Sequence, residues 1–379
     1  MIQARSPAHT VLDAPADPPR KILIVRLSSL GDVIQTLPLP TAIRRNHPEA
    51  KIGWAIDTEL ASAIEGHPHI DYIHRCDRNR WGKALLNPTD WFDVTREIKG
   101  FIGEIRAQQY EVAVDAQGRL KSAVVPYAAR IPRRIGFAHG REWSGLFYTE
   151  RYVTRGEYFS PKRHHVSHML ELLKAIGCQT EPIFLELPPS DCAEVKKASA
   201  MLRDFRQASK VVALAPFTQW PSKRWPLEHW RHLARRILAE TRANVAVIGT
   251  SKERTLGEEL IASLGEMSSG RVINLAGLTS IRDLYTLFPM ISVTIAADTA
   301  PLHVATAAGC ANSIGLFGST SPVRLAPLGR GSALLLLAKA DLPCRPCRQT
   351  VCRFGTTECM RRISPDEVYA ELVKRLEAA

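Results

Sequence analysis

Short runs of apolar residues recur along the chain, and stretches of helical periodicity separate them. This alternation occurs twice: KILIVRL, AKIGWAID, DYIHRC, EVAVDAQG and RIGFA in the first half, then KVVALAPF, NVAVIGT, RVINLAG, VTIAAD and SIGLFG in the second. Strands without polar alternation, each followed by a helix, are typical of parallel sheets that helices cover on both faces. The sequence therefore predicts an α/β protein with two parallel sheets.

A linker between the two series is marked by LELPPSD, because a double proline disfavours both helix and strand. The 379 residues, 45% of them hydrophobic, suffice for two domains of ordinary size. We expect a first domain over 21–188 and a second over 189–362, with a cleft between them where the strands end. A closing helix is predicted over 363–379, and the stretch 1–20 is predicted to be a disordered tail.

The charge balance favours an anionic partner. Fifty lysines and arginines against thirty-eight acidic residues give a formal net charge of +12. Nucleotides and an acidic membrane face both fit this charge, whereas the absence of any nucleic-acid-binding motif argues against nucleic acid. No apolar run approaches the ~20 residues that span a bilayer, and the N-terminal stretch lacks the apolar core of a signal peptide. The sequence therefore predicts a cytoplasmic protein.

Asp32 lies in RLSSLGDVIQTLPL, directly after the first apolar run, where a helix should begin. A carboxylate there can simply cap the helix, since free amides and the positive end of the dipole stabilise it. A fixed carboxylate at the end of a parallel strand also suits a group that accepts a proton from a substrate. Both interpretations remain open from this stretch alone.

The stretch FTQWPSKRWPLEHW follows the first strand of the second half and carries Thr218 and Lys223. A hydroxyl donor and a point charge at a strand end suit a diphosphate, although a solvated basic loop would look the same. Glu253, after the next strand and a glycine turn, is placed where an acid could bind ribose hydroxyls.

A second candidate anion site begins at AADTAPLHVATAAG, where a strand ends at Asp298 and a helix of small residues starts at Thr299. The free amides of that helix start suit a phosphate. His303, four residues past Thr299, lies on the same helix face and could add a donor, or it could be an ordinary buried histidine.

Four of the eight cysteines form a cluster near the C-terminus, Cys344, Cys347, Cys352 and Cys359. The spacing C-x2-C-x4-C-x6-C is similar to that of a compact zinc site, but no histidine joins it and the intervening stretches are basic, so free or partly paired thiols fit better. Because the cluster follows the last predicted strand, we expect it to be structural and distant from the chemistry.

Together the motifs RLSSLGDVIQTLPL, VDAQGRLKSA, SKRWPLEHW, DTAPLHVATAAG and GLFGSTSP resemble the lipopolysaccharide heptosyltransferases of glycosyltransferase family 9. VDAQGRLKSA and the FYTERY region are most similar to the heptosyltransferase I branch, whereas the cysteine cluster is similar to other branches. The resemblance covers nearly all of the chain beyond Arg20. It implies the GT-B fold of two Rossmann-like domains, with acceptor bound by the first, ADP-heptose by the second, and the last helix crossing back to the first.

The resemblance also implies roles for individual residues. Asp32 matches the family's base and Lys223 its phosphate-binding lysine, while Glu253 matches the ribose-binding acid. The family's Asp-Thr-Gly motif is here Asp298-Thr299-Ala300, followed by His303, so alanine replaces a glycine at the diphosphate. Residues implied to face the acceptor are Arg80, Lys121 and Arg141.

The function expected from these residues is inverting transfer of heptose from ADP-L-glycero-D-manno-heptose to Kdo–lipid A, at the cytoplasmic face of the inner membrane, by a monomer peripheral to that membrane. No metal is expected, because the chain has no Asp-x-Asp motif and basic groups can neutralise departing ADP. The alternatives are heptosyltransferase II or another acceptor in the family, and a sugar-nucleotide-binding protein without catalysis. A nicotinamide enzyme is disfavoured, because RLSSLGD lacks the G-x-G-x-x-G pattern.

Overall fold

The computed structural model describes residues 18–84, 87–152, 163–203, 210–339 and 341–378, so most of the expected tail lies outside the described residues. Twelve strands in this part of the chain form two six-stranded sheets, and every strand pair is parallel. The predicted α/β class with two Rossmann-like sheets is therefore confirmed.

The first sheet has the strand order β3-β2-β1-β4-β5-β6, and β1 and β2 are almost wholly buried. Its strands are β1 (Lys21–Val25), β2 (Lys51–Asp57), β3 (Tyr72–Cys76), β4 (Val112–Asp115), β5 (Arg133–Phe137) and β6 (Glu150–Tyr152). The α-helices of this half are α1 (Leu30–Thr36), α2 (Pro38–Asn46), α3 (Arg78–Ala84), α4 (Trp91–Ala107), α5 (Leu120–Ala128) and α6 (His165–Glu171).

The second sheet has the order β12-β11-β10-β7-β8-β9. Its strands are β7 (Val211–Ala215), β8 (Asn244–Val247), β9 (Val272–Asn274), β10 (Val293–Ala297), β11 (Asn312–Phe317) and β12 (Ser332–Leu337). The α-helices of this half are α7 (Cys192–Met201), α8 (Leu227–Glu240), α9 (Arg254–Ala262), α10 (Ile281–Leu287), α11 (Ala300–Ala308), α12 (Pro322–Leu325), α13 (Glu358–Arg361) and α14 (Pro365–Ala378).

Residues 177–191, which include the double proline, form neither helix nor strand, and α7 after them packs on α10. All ten predicted runs contain strands, whereas β6 and β12 were not predicted. Both are edge strands. β6 has three residues, two of them charged, so it shows no apolar run, whereas β12 is an apolar run that was not assigned as a strand.

The closing helix α14 packs on the second domain, so the expectation that it returns to the first domain is wrong. Its buried face joins α8 and β10 in one apolar cluster. Lys210 donates to the carbonyl of Leu376, and Arg236 pairs with Asp366 at 2.7 Å. The chain enters α14 directly after Ile363, whose carbonyl accepts from Trp225 Nε1 at 3.0 Å, so the helix starts beside α8 and buries its apolar stripe there.

The two halves touch through α1 and α11. A methyl group built on Gly31 would lie 3.0 Å from the His303 ring and 3.6 Å from Ala300 Cα. Further bonds across the halves join Tyr285 Oη to the Ala63 carbonyl at 2.9 Å and His164 Nε2 to the Ala326 carbonyl at 2.8 Å. The two turns that carry the candidate site residues thus face each other at close range.

Candidate active site

Asp32 lies in the first turn of α1, after the turn that follows β1. Its Oδ2 accepts from Ser29 N at 3.3 Å and Ser29 Oγ at 3.0 Å, and pairs with Arg26 Nη2 at 2.7 Å. The side chain keeps 37% of its surface exposed, whereas that of Arg26 keeps 5%. Asp32 therefore caps its helix and also presents a carboxylate that a substrate can reach.

The electrostatic setting of Asp32 keeps it ionised. Desolvation by the surrounding protein raises the pKa, but the charge of Arg26, the neighbouring His165 and the bonds from Ser29 outweigh it and lower the pKa to about 2. Burial and the same Arg26 hold the pKa of His165 well below its usual range. At neutral pH the pair is therefore a carboxylate beside a neutral imidazole.

Arg26 is a residue that the sequence reasoning passed over. Its Nη1 donates to the Ala116 carbonyl at 2.7 Å, and its own carbonyl accepts from Trp54 Nε1 at 3.1 Å. The guanidinium is thereby fixed behind Asp32. The sequence signal that could have identified Arg26 is its position directly after a buried strand and six residues before Asp32.

On the opposite side, Asp298 is the centre of a buried network. Its Oδ2 accepts from Lys223 Nζ at 2.7 Å and Thr320 Oγ1 at 2.7 Å, while Oδ1 lies 3.4 Å from His303 Nε2. Burial raises the pKa of Asp298, but Lys223 and His303 more than offset it, so the pKa lies below its usual range. Asp298 thus positions Lys223 and His303, while its own carboxylate is turned toward donors of the protein.

The start of α11 completes this side. Thr299 is the N-cap residue in an extended conformation, its side chain makes no capping bond, and Ala300 is the first residue of the helix. The side chain of Lys223 also lies over Trp220, 4.8 Å from the ring centroid. Pro301 has no N–H and Leu302 N donates to the Thr299 carbonyl at 3.1 Å, so the helix start offers the Ala300 amide. This amide and the positive end of the helix dipole, beside an ammonium group, suit a diphosphate.

His303 connects the two sides, because its Nδ1 lies 3.2 Å from Gln35 Nε2 on α1. Behind them, Arg324 Nη2 lies 3.5 Å from Nδ1 of His165. The structure therefore brings together Asp32, His303, Asp298 and Lys223 through these contacts. Sequence reasoning missed the connecting residues, since nothing in a single sequence pairs positions this far apart.

Two further predicted donor residues lie at the ends of neighbouring strands. Thr218 is buried, and its hydroxyl accepts from Trp220 N at 3.2 Å. Glu253 accepts from the amide and hydroxyl of Thr250, at 2.7 and 2.9 Å, and so closes a capping box. Glu253 thus has a local structural task in addition to the ribose role predicted for it.

Among the predicted acceptor residues, Arg80 is exposed and paired with Glu97 at 2.9 Å. It is Arg78 that reaches the Asp32 turn: its Nη1 donates to Ser28 Oγ at 3.0 Å, and its Nε pairs with Asp57 at 2.6 Å. Residues two apart on a helix face different sides, so only one of these arginines can face the turn.

Lys121 and Arg141 flank the loop after β4. Both side chains are exposed. Partial desolvation, and then the positive charges of Arg78 and Arg119, lower the pKa of Lys121. The loop between them is fixed by Asp115, which accepts from Ser122 Oγ at 2.8 Å. The VDAQGRLKSA motif thus forms a basic rim next to Asp32.

The cysteine-bearing segment 344–359 is not distant from this site, which corrects the prediction. Ser222, next to Lys223, donates from Oγ to the Gln349 carbonyl at 2.5 Å and from N to the Thr350 carbonyl at 3.1 Å. Arg348 N donates to the carbonyl of Ser319 at 2.8 Å. The segment lies against the lysine turn because both serines are buried and offer it backbone and hydroxyl partners.

All eight cysteines are free. In the described part of the chain, no three His, Cys, Asp or Glu side chains are grouped so that they could hold a metal ion. Burial and then the neighbouring Cys347, Cys344 and Cys352 raise the pKa of the Cys359 thiol. The zinc interpretation of Cys344, Cys347, Cys352 and Cys359 stays a prediction, and metal analysis of the purified protein is its test.

The fold and the two facing turns define a two-domain glycosyltransferase of the GT-B class, and comparison with known proteins specifies the family. The family model "Glycosyltransferase family 9 (heptosyltransferase)" matches residues 99–358. The chain therefore belongs to glycosyltransferase family 9, the heptosyltransferases.

Several relatives cover the chain almost completely. It is 27% identical to lipopolysaccharide heptosyltransferase 1 of Pseudomonas aeruginosa, over 94% of this chain and 98% of the relative. It is 24% identical to lipooligosaccharide heptosyltransferase 2 of Haemophilus ducreyi, over 93% and 98%. E. coli ADP-heptose heptosyltransferase II shares the fold, with a TM-score of 0.74, 22% identity and coverage of 95% and 100%. E. coli heptosyltransferase WaaC with ADP-2-deoxy-2-fluoro heptose gives a TM-score of 0.67, 22% identity and the same coverage.

Among the described residues, no helix has both the length and the apolar character required to cross a bilayer.

Proposed function

We propose that this protein transfers heptose from ADP-L-glycero-D-manno-heptose to the Kdo–lipid A inner core in lipopolysaccharide biosynthesis. The observation that carries the proposal is the approach of Gly31 to His303, which sets the Asp32 turn against the start of α11. An acceptor hydroxyl at Asp32 and a sugar diphosphate at α11 would then meet in the same space. The relatives' names support heptose as the sugar.

In this scheme the second domain, 189–362, binds the donor. The Ala300 amide at the start of α11, the hydroxyls of Thr299 and Thr218 and the ammonium of Lys223 bind the diphosphate, and Glu253 takes the ribose. Ala300 stands where the family resemblance implies a glycine. Asp298 holds Lys223 in place at 2.7 Å.

The first domain, 21–188, binds the acceptor beside Asp32. The acceptor oxygen attacks the anomeric carbon from the face opposite the diphosphate, the bond from that carbon to the phosphate oxygen breaks, and the configuration inverts. Asp32 takes the hydroxyl proton as the new bond forms, and ADP leaves with the electron pair of the broken bond. A carboxylate of low pKa is a weak base at rest, and it suffices because the hydroxyl becomes acidic only as it attacks.

Departing ADP carries negative charge, which Lys223, His303 and the helix dipole stabilise where it develops. The scheme uses no metal, and turnover is expected to persist in EDTA. Lys121, Arg141 and Arg78 form a basic rim that suits the carboxylates of Kdo and the phosphates of lipid A. We place Arg78 in this role in preference to Arg80, because it is Arg78 that donates to Ser28 Oγ in the Asp32 turn, while its Nε pairs with Asp57.

Such an acceptor lies in the inner membrane, so we place the enzyme at its cytoplasmic face as a peripheral monomer. The experiment that tests the proposal offers ADP-heptose with Kdo–lipid A or with its heptosylated product and measures ADP release. We expect release with Kdo–lipid A. Release with the heptosylated product alone would assign the chain to the second heptose transfer. ADP-heptose binding without release on either would overturn Kdo–lipid A as the acceptor and leave another acceptor of the family or a binding protein.

A further inference from the structure

An apolar face of the first domain has no partner among the described residues. The helix α5 buries Ala123, Val125 and Pro126 against the sheet and turns Leu120, Val124 and Tyr127 outward. The outward positions are spaced i, i+4 and i+7, so they share one helix face. Tyr127 is 55% exposed.

The loop after β5 extends this face. Trp143 is 81% exposed and Leu146 is 68% exposed, and the turn Ser144–Phe147 that carries Leu146 packs on α5. The rings of Tyr127 and Phe147 meet edge to face with centroids 5.2 Å apart. We call the five exposed side chains the α5 face: Leu120, Val124, Tyr127, Trp143 and Leu146. Contiguous apolar exposure of this kind marks an interaction surface.

A cationic cavity adjoins the α5 face at Tyr127. It has a volume of about 540 Å³, and its lining consists of Arg106, Tyr127, Ala128, Arg130 and Arg134, with no carboxylate. The guanidinium of Arg134 lies 5.6 Å from the Tyr127 centroid. Glu142, the acid beside Trp143, is paired with Arg119 at 3.0 Å. The cavity therefore offers positive charge to a phosphate group next to an apolar surface.

We propose that the α5 face and this arginine cavity dock the enzyme on an anionic phospholipid bilayer, with Trp143 and Leu146 inserted at the interface and a lipid phosphate in the cavity. Aromatic side chains favour the headgroup level, and cations near an anionic leaflet each add to the attraction. The inference rests on the proposed function, because that function places the acceptor at the basic rim of Lys121. The helix α5 begins at this rim and extends away from it for about 13 Å. A lipid-linked acceptor bound there would have its lipid on the same side.

The test is sedimentation of the full-length protein with vesicles of phosphatidylglycerol and phosphatidylethanolamine, compared with phosphatidylcholine vesicles. We expect binding to the anionic vesicles only. Trp143→Asn with Leu146→Ser should weaken binding at least tenfold, since two exposed apolar groups are lost. Arg130→Asn should weaken it about fivefold, or ~1 kcal/mol. Asparagine is chosen because Trp143 and Arg130 have φ of 62° and 58°, which asparagine tolerates.

Leu256→Ser, at an exposed leucine of α9 in the second domain, is the matched control and should bind like the unaltered protein. Inorganic phosphate should not release the protein from vesicles; release would show a free-phosphate site and overturn the docking proposal. Equal vesicle binding by all variants would overturn it too, as would a change from dimer to monomer in the Trp143→Asn, Leu146→Ser protein. Turnover on a de-acylated, water-soluble Kdo acceptor tests the proposed function separately, and the α5-face variants should retain it.

Discussion

Gly31→Ala tests whether the close approach of α1 to α11 is needed for turnover. The added methyl group would lie 3.0 Å from His303 Cδ2, whereas carbon atoms in contact prefer ~3.5–4.0 Å. The two turns must therefore separate by ~0.5–1 Å, or His303 must rotate off Gln35. A misplacement of about 1 Å can cost 10²-fold in rate, so we expect kcat to fall about 10- to 100-fold. ADP affinity should change little, because the second domain keeps its binding groups.

The assay is ADP release under saturating donor and acceptor, with ADP affinity measured by calorimetry. The control is Gly100→Ala on α4, where an added methyl group would meet no atom within 4 Å. Since the two domains can separate instead of overpacking one core, the melting temperature of the Gly31 variant should stay close to that of the control. A Gly31→Ala protein with unaltered kcat would refute the reasoning, because the two turns would then not need this contact.

Three further changes address the network. Lys223→Met should lower ADP affinity about 10- to 100-fold in calorimetry, because a charge-assisted contact worth ~1.5–3 kcal/mol is lost. Adding Asp298→Asn should restore thermal stability without restoring ADP binding. Unaltered ADP binding by the Lys223→Met protein would show that the diphosphate binds elsewhere. Ser222→Ala removes the hydrogen bonds of the Ser222 hydroxyl to Gln349 and Ser319 and should raise KM for ADP-heptose several-fold. The control Ser269→Ala, on an exposed turn, should leave KM unaltered. Equal KM values for the two variants would show that segment 344–359 does not position the turn that carries Lys223. Arg26→Met removes the positive charge that lowers the pKa of Asp32, so that pKa should rise. The kcat/KM of the variant should then fall with decreasing pH in a range where kcat/KM of the unaltered enzyme does not change. Superimposable pH profiles would contradict this electrostatic account.

Local patterns were enough for the central strands and for the turns at their ends. Buried strands such as β1 and β10 are apolar runs in the sequence; Asp298 follows β10 directly, and Asp32 lies in the helix that starts after β1. The short, polar strand β6 and the docking of α14 were not predictable in this way. Amphipathic spacing shows that α14 must bury one face, but both domains offer an apolar surface. The helix packs on the second domain because Ile363, just before it, lies beside that domain.

The network around Asp298 shows the same limit. Its residue types were identified one by one, but the pairing with Lys223 at 2.7 Å spans 75 positions. Likewise, the Ala116 carbonyl, at the end of β4, accepts from Arg26 and fixes its guanidinium behind Asp32, and this contact is visible only in the fold. Separations in sequence of this size carry no periodic signal. The charges that tune the site are therefore a property of the fold.

The catalytic role of Asp32 is tested most directly by kcat of Asp32→Asn with ADP-heptose and Kdo–lipid A. The amide oxygen of asparagine can still accept from Ser29 N, so a capping role alone predicts that turnover is retained. Loss of the ion pair with buried Arg26 lowers the stability under either account. The general-base account predicts a fall in kcat of about 10²–10⁴-fold with nearly unaltered ADP-heptose affinity. A folded Asp32→Asn enzyme that retains more than about a tenth of the original kcat would contradict it, because that loss is smaller than removal of a general base produces.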